Sequence, residues 1–158
     1  GTIGSSAQIG RTDGLTAGVE KNSNWKIIAQ QTGEFTQAKG QEVMESVLKQ
    51  YDDIDVVYCE NDNEAFGAID AIEAAGKTYG VNGDITVISF DATHAGLTDT
   101  LAGKINFNVE CNPLHGPRVE KIIQQLEKGE TPDKLAYVDE ETFDATTITQ
   151  AIVDARAY

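Results

Sequence analysis

The sequence predicts an α/β fold, a doubly wound and mostly parallel sheet with helices on both faces. Three observations carry that prediction. Short apolar runs, too short for helices, alternate with amphipathic stretches along the whole chain. Residues 55–91 (DVVYCENDNEAFGAIDAIEAAGKTYGVNGDITVISFD) hold one full strand–helix–strand unit. Each strand in that unit ends on polar residues that open the next helix. In an open α/β sheet that edge, at the carboxyl ends of the strands, is where ligands bind.

The elements follow in order. Gly1 to Ser6 reads as the tail of a strand and its turn, and residues 5–21 as a helix with Ile9, Leu15 and Val19 on a loose apolar face and Arg11 near its start. Trp25–Ala29 (WKIIA) has strand composition. After a turn at Gln31–Glu34, Phe35 opens a helix that buries Met44, Val47, Leu48 and Tyr51, an i, i+3, i+4, i+7 set. Val56–Tyr58 is a strand. Ala65, Ile69 and Ile72 form the stripe of the next helix with Phe66 beside them, and Gly76 ends it. Residues 84–90 are a second apolar strand stopping at Asp91, followed by a short helix to Leu101 closed by Gly103. Ile105–Val109 alternates as a half-exposed strand does. Pro113 suits a helix start, and Val119, Ile122, Ile123 and Leu126 form a helical stripe ended by Gly129. Tyr137–Phe143 is extended, and Asp144 caps a closing helix that turns Ile148, Ile152 and Val153 inward. The expectation is about five strands alternating with six helices and joined by right-handed crossovers.

Composition narrows the function. The 158 residues suffice for one domain with a real core. With 26 acidic against 12 basic residues, the net charge of −14 argues against nucleic acid or an anionic membrane surface as partner. No apolar run is long enough to cross a membrane, and no signal peptide precedes the first helix. Two cysteines, Cys59 and Cys111, are too few for a disulfide framework and read as free buried thiols. Enzyme signatures fail. No G-x-G-x-x-G follows a strand and no G-x-S-x-G occurs. Gly76-Lys77-Thr78 ends a helix rather than opening one, with Ala71 where a phosphate loop needs glycine. His94 and His115 are the only histidines and lack metal-ligand spacing. No metal or cofactor is implied.

The strand ends collect a different chemistry. Phe35, Asn61 with Asp62, Asp91, and Glu110-Cys111-Asn112 fall on one edge, and Arg11 joins them from the first helix. Carboxylates accept from adjacent hydroxyls, while arginine and asparagine donate to ring and hydroxyl oxygens. An aromatic ring covers a C–H face. A polyol needs this set; a phosphate would want glycines and amide donors. Taken singly, Asn61, Asp62 and Asp91 read as helix caps, Arg11 as a solvated arginine and Phe35 as core. Their common edge is what makes them candidates.

Those same residues resemble the second half of the periplasmic sugar-binding proteins of ABC transporters, in the ribose/galactose-type group. The resemblance is carried by Gly1-Thr2 with Arg11-Thr-Asp-Gly14, Gln31-Thr-Gly-Glu-Phe35, Glu60-Asn61-Asp62 with Ala68-Ile69 and Ala74-Ala75-Gly76, Ile88-Ser-Phe-Asp91-Ala-Thr93, and Val109-Glu-Cys-Asn-Pro113. The last segment is similar to the branch that includes galactofuranose binders. The resemblance implies a periplasmic-binding-protein-like lobe, not an enzyme, with residues 1–110 as the C-terminal sugar-binding lobe. Residues 111–130 would be the hinge crossing and a helix that packs on the missing N-terminal lobe, and residues 131–158 the return segment and closing helix. It implies sugar contacts from Arg11, Phe35, Asn61 and Asp91. Cys111 stands at a hinge-side contact where ribose binders often carry glutamine. The implied partners are a monosaccharide, a membrane ABC permease and the other lobe, with no nucleic acid. The implied location is periplasmic or extracellular, with a lipid anchor as one form of the full-length protein. The alternative is the effector domain of a LacI-type sugar-responsive repressor, which shares the fold. With the second lobe absent, the stripe on the helix after Pro113 is expected either to fold back over its own sheet or to pair two chains as a homodimer, the latter favoured.

Overall fold

The computed structural model describes residues 1–158. Six helices and four strands follow in the order α1 (Ser6–Glu20), α2 (Gln37–Gln50), β1 (Val56–Tyr58), α3 (Asp62–Ala74), β2 (Thr86–Asp91), α4 (His94–Leu101), β3 (Phe107–Glu110), α5 (Gly116–Glu127), β4 (Thr142–Asp144) and α6 (Gln150–Ala155). The sheet order is β1-β2-β3-β4. β1, β2 and β3 are parallel, and β4 returns antiparallel to β3. Most helices start on a side-chain cap: Ser5, Thr36, Asn61 and Thr93 each accept from the backbone N–H three residues on.

The period of two along the strands sorts their residues onto two unequal faces. Val87, Ser89, Asn108, Glu110 and Phe143 are buried, while their neighbours Ile88, Phe90, Phe107 and Val109 are only half-buried. Register places Ser89 beside Asn108 and Asn108 beside Phe143, so all the buried ones share a face. Against that face α2 and α3 bring Met44, Ala65, Ala68, Ile69 and Ile72, and α4 and α6 bring Leu97 and Val153. α1 lies against the other face at Tyr58 and Phe90.

α2 and α3 approach closely because glycines sit at the contact. A Cβ on Gly67 would fall 2.0 Å from the Gln37 carbonyl oxygen and 2.7 Å from the Gln41 nitrogen, and one on Gly40 would fall 2.8 Å from the Glu64 carbonyl. Since backbone blocks both, Gly67→Ala should force the helices apart and cost about 1–3 kcal/mol, read as a drop in the urea midpoint. An unchanged midpoint would show that the pair slides at no cost.

Four sequence expectations are corrected. Trp25–Ala29 is extended but forms no strand, because nothing pairs with it: residues 25–33 carry no regular structure and no backbone hydrogen bond involves residues 26–31. The sheet therefore has four strands, not five. Asp144 ends β4 instead of capping the last helix; its Oδ1 accepts from Thr146 N and Oγ1, a local turn that outcompetes the cap, and α6 starts after Thr149. The helix near Pro113 begins later, at Gly116, with Pro117 in its first turn. It does not fold back over the sheet. No residue of α5 is buried, and Val119, Ile123 and Leu126 are 49%, 50% and 58% exposed.

Candidate functional site

The carboxyl ends of β1, β2 and β3 meet α1 and the turn before α2 at one edge. Arg11 is its centre. One guanidinium nitrogen donates to the Glu60 carbonyl, and Nη2 donates to Asp91 Oδ1 at 2.8 Å. Its carbon stands 5.0 Å from the Phe90 ring centroid and 6.0 Å from that of Phe35. Such stacking fixes the plane of the guanidinium fork. α1 is pinned beneath by Tyr58, whose hydroxyl donates to Arg11 O at 2.9 Å, and by Thr12, whose hydroxyl donates to Glu60 Oε1 at 2.5 Å.

Two turns that shape the edge are strained. Glu34 and Phe35 lie at φ 55° and 57°, and Asp91 and Ala92 at φ 96° and 51°. Non-glycine residues held there cost about 1–3 kcal/mol each and cluster at functional sites. The surroundings hold both turns. Phe35 N–H donates to Glu64 Oε1 (3.1 Å), and Asn61 Nδ2 donates to Phe35 O (3.2 Å). Ala92 N–H donates to Asn108 Oδ1 (3.1 Å), and Thr93 N–H to Asp62 Oδ2 (2.9 Å). Burial raises the Asp91 carboxyl above its ordinary pKa, and the Arg11 charge only partly offsets this.

The candidates from the sequence divide. Arg11, Phe35 and Asp91 stand together on the edge, half-buried. Cys111 is there too, exposed rather than buried, with its N–H on Asp91 O at 3.2 Å. Partial burial raises its thiol pKa, with Arg11 opposing. Asn61 is buried at 6% exposure and spends its side chain capping Glu64 N–H and holding Phe35. Asp62 is corrected. It lies beneath the edge at 2% exposure, with Oδ1 accepting from Ser89 Oγ (2.7 Å) and Asn108 Nδ2 (2.7 Å), and Oδ2 accepting from Thr93 N and Oγ1. Every oxygen is committed to the protein, so none is offered to a ligand.

Glu64 escaped the sequence reading. Buried at 5% exposure, it accepts from the Gly1 nitrogen (2.6 Å), Phe35 N–H and Glu60 N–H (3.1 Å), tying three of the edge's segments together. The signal was present: Asn61-Asp62-Asn63-Glu64 has capping-box spacing. The edge is one open wall. No group of three or more His, Cys, Asp or Glu is placed to hold a metal ion. A cavity of about 510 Å³ runs along β1, and Gly1, Thr12, Glu60 and Glu64 of this edge are among the residues that line it.

Comparison with known proteins meets this geometry. The model of the periplasmic binding protein domain matches residues 1–115. The chain belongs to that family. The galactofuranose-binding protein YtfQ of Escherichia coli is 37% identical over 139 residues, covering 85% of this chain and 43% of that protein. The periplasmic binding protein component of the arabinose ABC transporter from Shewanella sp. ANA-3, solved bound to α- and β-L-arabinofuranose, superposes with a TM-score of 0.92 at 34% identity, covering 99% of this chain and 52% of that one. A Mycobacterium smegmatis structure in complex with β-D-fucofuranose gives a TM-score of 0.86 at 42% identity, covering 98% and 49%. This chain thus spans about half the length of the proteins named here. No helix in it is long and apolar enough to cross a membrane.

Proposed function

We propose that this chain is one lobe of the substrate-binding component of a sugar ABC transporter. It contributes one wall of a cleft for a monosaccharide, delivers the sugar to a membrane permease outside the cytoplasm, and catalyses nothing. The observation that carries this reading is the Arg11–Asp91 pair stacked on Phe90 beside Phe35 at the carboxyl ends of parallel strands. It offers a forked donor, a carboxylate acceptor and an aromatic face in one patch. The furanose-bound relatives named above add support and favour a five-membered ring. Arg11 and Asp91 are the polar anchors, Phe35 the apolar cover and Cys111 the hinge-side contact. Asn61 acts by holding Phe35.

Calorimetric titration with a panel of furanose and pyranose sugars tests the reading. A two-lobed protein containing this sequence should bind one of them at micromolar or tighter Kd. The chain alone should bind at least about a hundredfold more weakly, since ligand sites normally bury most of a small ligand's surface and one wall covers only one side. No monosaccharide binding by the two-lobed protein would sink the proposal.

The helix α5 and the residues around it, 111–130, fit the hinge crossing. Each large side chain left in water on α5 forgoes about 1.5–3 kcal/mol of burial. In the two-lobed protein the other lobe covers them. The isolated chain should therefore associate through α5, and Ile123→Glu should return it to a monomer by light scattering. A monomer at high concentration before the mutation would refute the pairing.

A further inference from the structure

We propose that Asn108 is a positioning residue for the site: it acts through the Asp91–Ala92 peptide and holds the Asp91 carboxylate where it meets Arg11 and a ligand. The inference rests on the sugar-binding reading above. The first ground is that this asparagine stands where the strand pattern calls for an apolar side chain. Asn108 has no exposed surface, and its register neighbours on the buried face are Ser89 and Phe143. A buried amide costs free energy unless its hydrogen bonds are made. A polar residue at an inward strand position marks a place where something besides core packing sets the choice.

The second ground is polarity. Asp62 lies beneath the edge with Oδ1 toward the amide, and a carboxylate only accepts. Asn108 must therefore turn Nδ2 to Asp62 (2.7 Å), which leaves its Oδ1 facing the Ala92 N–H (3.1 Å). Asp62 is itself fixed by Ser89 Oγ and by Thr93 N–H and Oγ1. The amide thus has one orientation. Leucine has the same branched shape and can neither donate to Asp62 nor accept from Ala92.

The third ground is what that orientation fixes. Asp91 and Ala92 lie at φ 96° and 51°, where residues other than glycine are strained. Their shared peptide is pinned at both ends. Asp91 O accepts from Cys111 N–H (3.2 Å), and Ala92 N–H donates to Asn108 Oδ1. Both partners come from β3 and the residue just after it. With the peptide plane held, the Asp91 side chain leaves the strand end toward Arg11, and its Oδ1 meets Nη2 at 2.8 Å. Without Asn108, the N–H of the fully buried Ala92 loses its acceptor. A flip of the peptide would then relieve the strain and carry the carboxylate away from Arg11.

Three measurements test this. In the unsubstituted chain, the Ala92 amide should exchange with solvent about a hundredfold or more slowly than an open-chain amide, and exchange at the open-chain rate would overturn the proposal. In Asn108→Leu, exchange of the Arg11 side-chain N–H groups should quicken by about tenfold or more, towards the rate in Asp91→Ala, which lacks the pair. Asn108→Ser changes the core less, and its one hydroxyl oxygen cannot stand at both amide positions, so it should move the Arg11 signal the same way. An Arg11 signal unchanged in both variants would overturn the proposal whether or not any sugar binds. Affinity then separates positioning from stabilisation of the fold. In a two-lobed protein carrying this sequence, titrated with L-arabinose, D-fucose and D-galactose, Asn108→Leu should weaken the tightest of them by about tenfold or more, but by less than about twofold when Asp91 is already alanine. An equal loss in both backgrounds would overturn the proposal, since Asn108 would then serve only the fold. If none of these sugars binds, the sugar-binding reading falls, and the Arg11 exchange still decides whether Asn108 holds Asp91.

Discussion

Asp62→Ala should lower the unfolding free energy by about 3–5 kcal/mol, the largest loss expected from any single side chain here. The carboxylate joins the start of α3 to β2, β3 and the start of α4. Its removal leaves the buried Ser89 Oγ–H and Asn108 Nδ2 and two part-buried donors of Thr93 without their acceptor. The hole does not refill, because Gly96 packs on it: even a Cβ there would stand 2.1 Å from Asp62 Oδ2. Asp62→Asn should cost less but still be felt, since one amide NH2 must then face a donor. Urea denaturation of the three proteins gives the order. A loss under about 1 kcal/mol for Asp62→Ala would mean that water enters and satisfies the site.

In a two-lobed protein carrying this sequence, Asp91→Ala should cost about 2–4 kcal/mol of sugar affinity, a reduction of roughly 30- to 1,000-fold. It removes an acceptor for ligand hydroxyls and leaves the Arg11 guanidinium, 12% exposed, with only the Glu60 carbonyl. Arg11→Lys should lose nearly as much, because an ammonium neither forks nor stacks on Phe90. The pH dependence has a definite sign. Burial raises the folded Asp91 pKa, so on acidification this carboxylate takes up its proton at a higher pH than an ordinary aspartate. Affinity should then begin to fall above the usual carboxylate range, and that early fall should vanish in Asp91→Asn. Unchanged affinity in Asp91→Ala, measured by calorimetry, would remove the residue from the site.

The sequence by itself determined the α/β class, the helices and the edge on which the candidates gather. Those features are local. Periodicities of two and 3.6 and caps such as Asn61 and Thr93 act over a few residues. Phe35 and Asp91 became candidates for the same reason, since they stand just before α2 and at the end of β2, whereas Arg11 lies inside α1 and became one only because that helix joins the edge. Only the tertiary structure decided which neighbour at the start of α3 faces where. Asn61, Asp62 and Glu64 are all polar residues of one helix start. Helix rotation against the sheet, with Ser89 set beside Asn108 by strand register, turned Asp62 into the core and Glu64 under the edge. The fate of Trp25–Ala29 was likewise beyond local reading. Its composition suits a strand, but a strand exists only where a partner's backbone stands about 4.8 Å away, and pairing is a property of distant segments. The exposure of α5 has the same cause: an amphipathic stripe predicts that something will cover it, and the three-dimensional arrangement alone says whether that something lies within the chain.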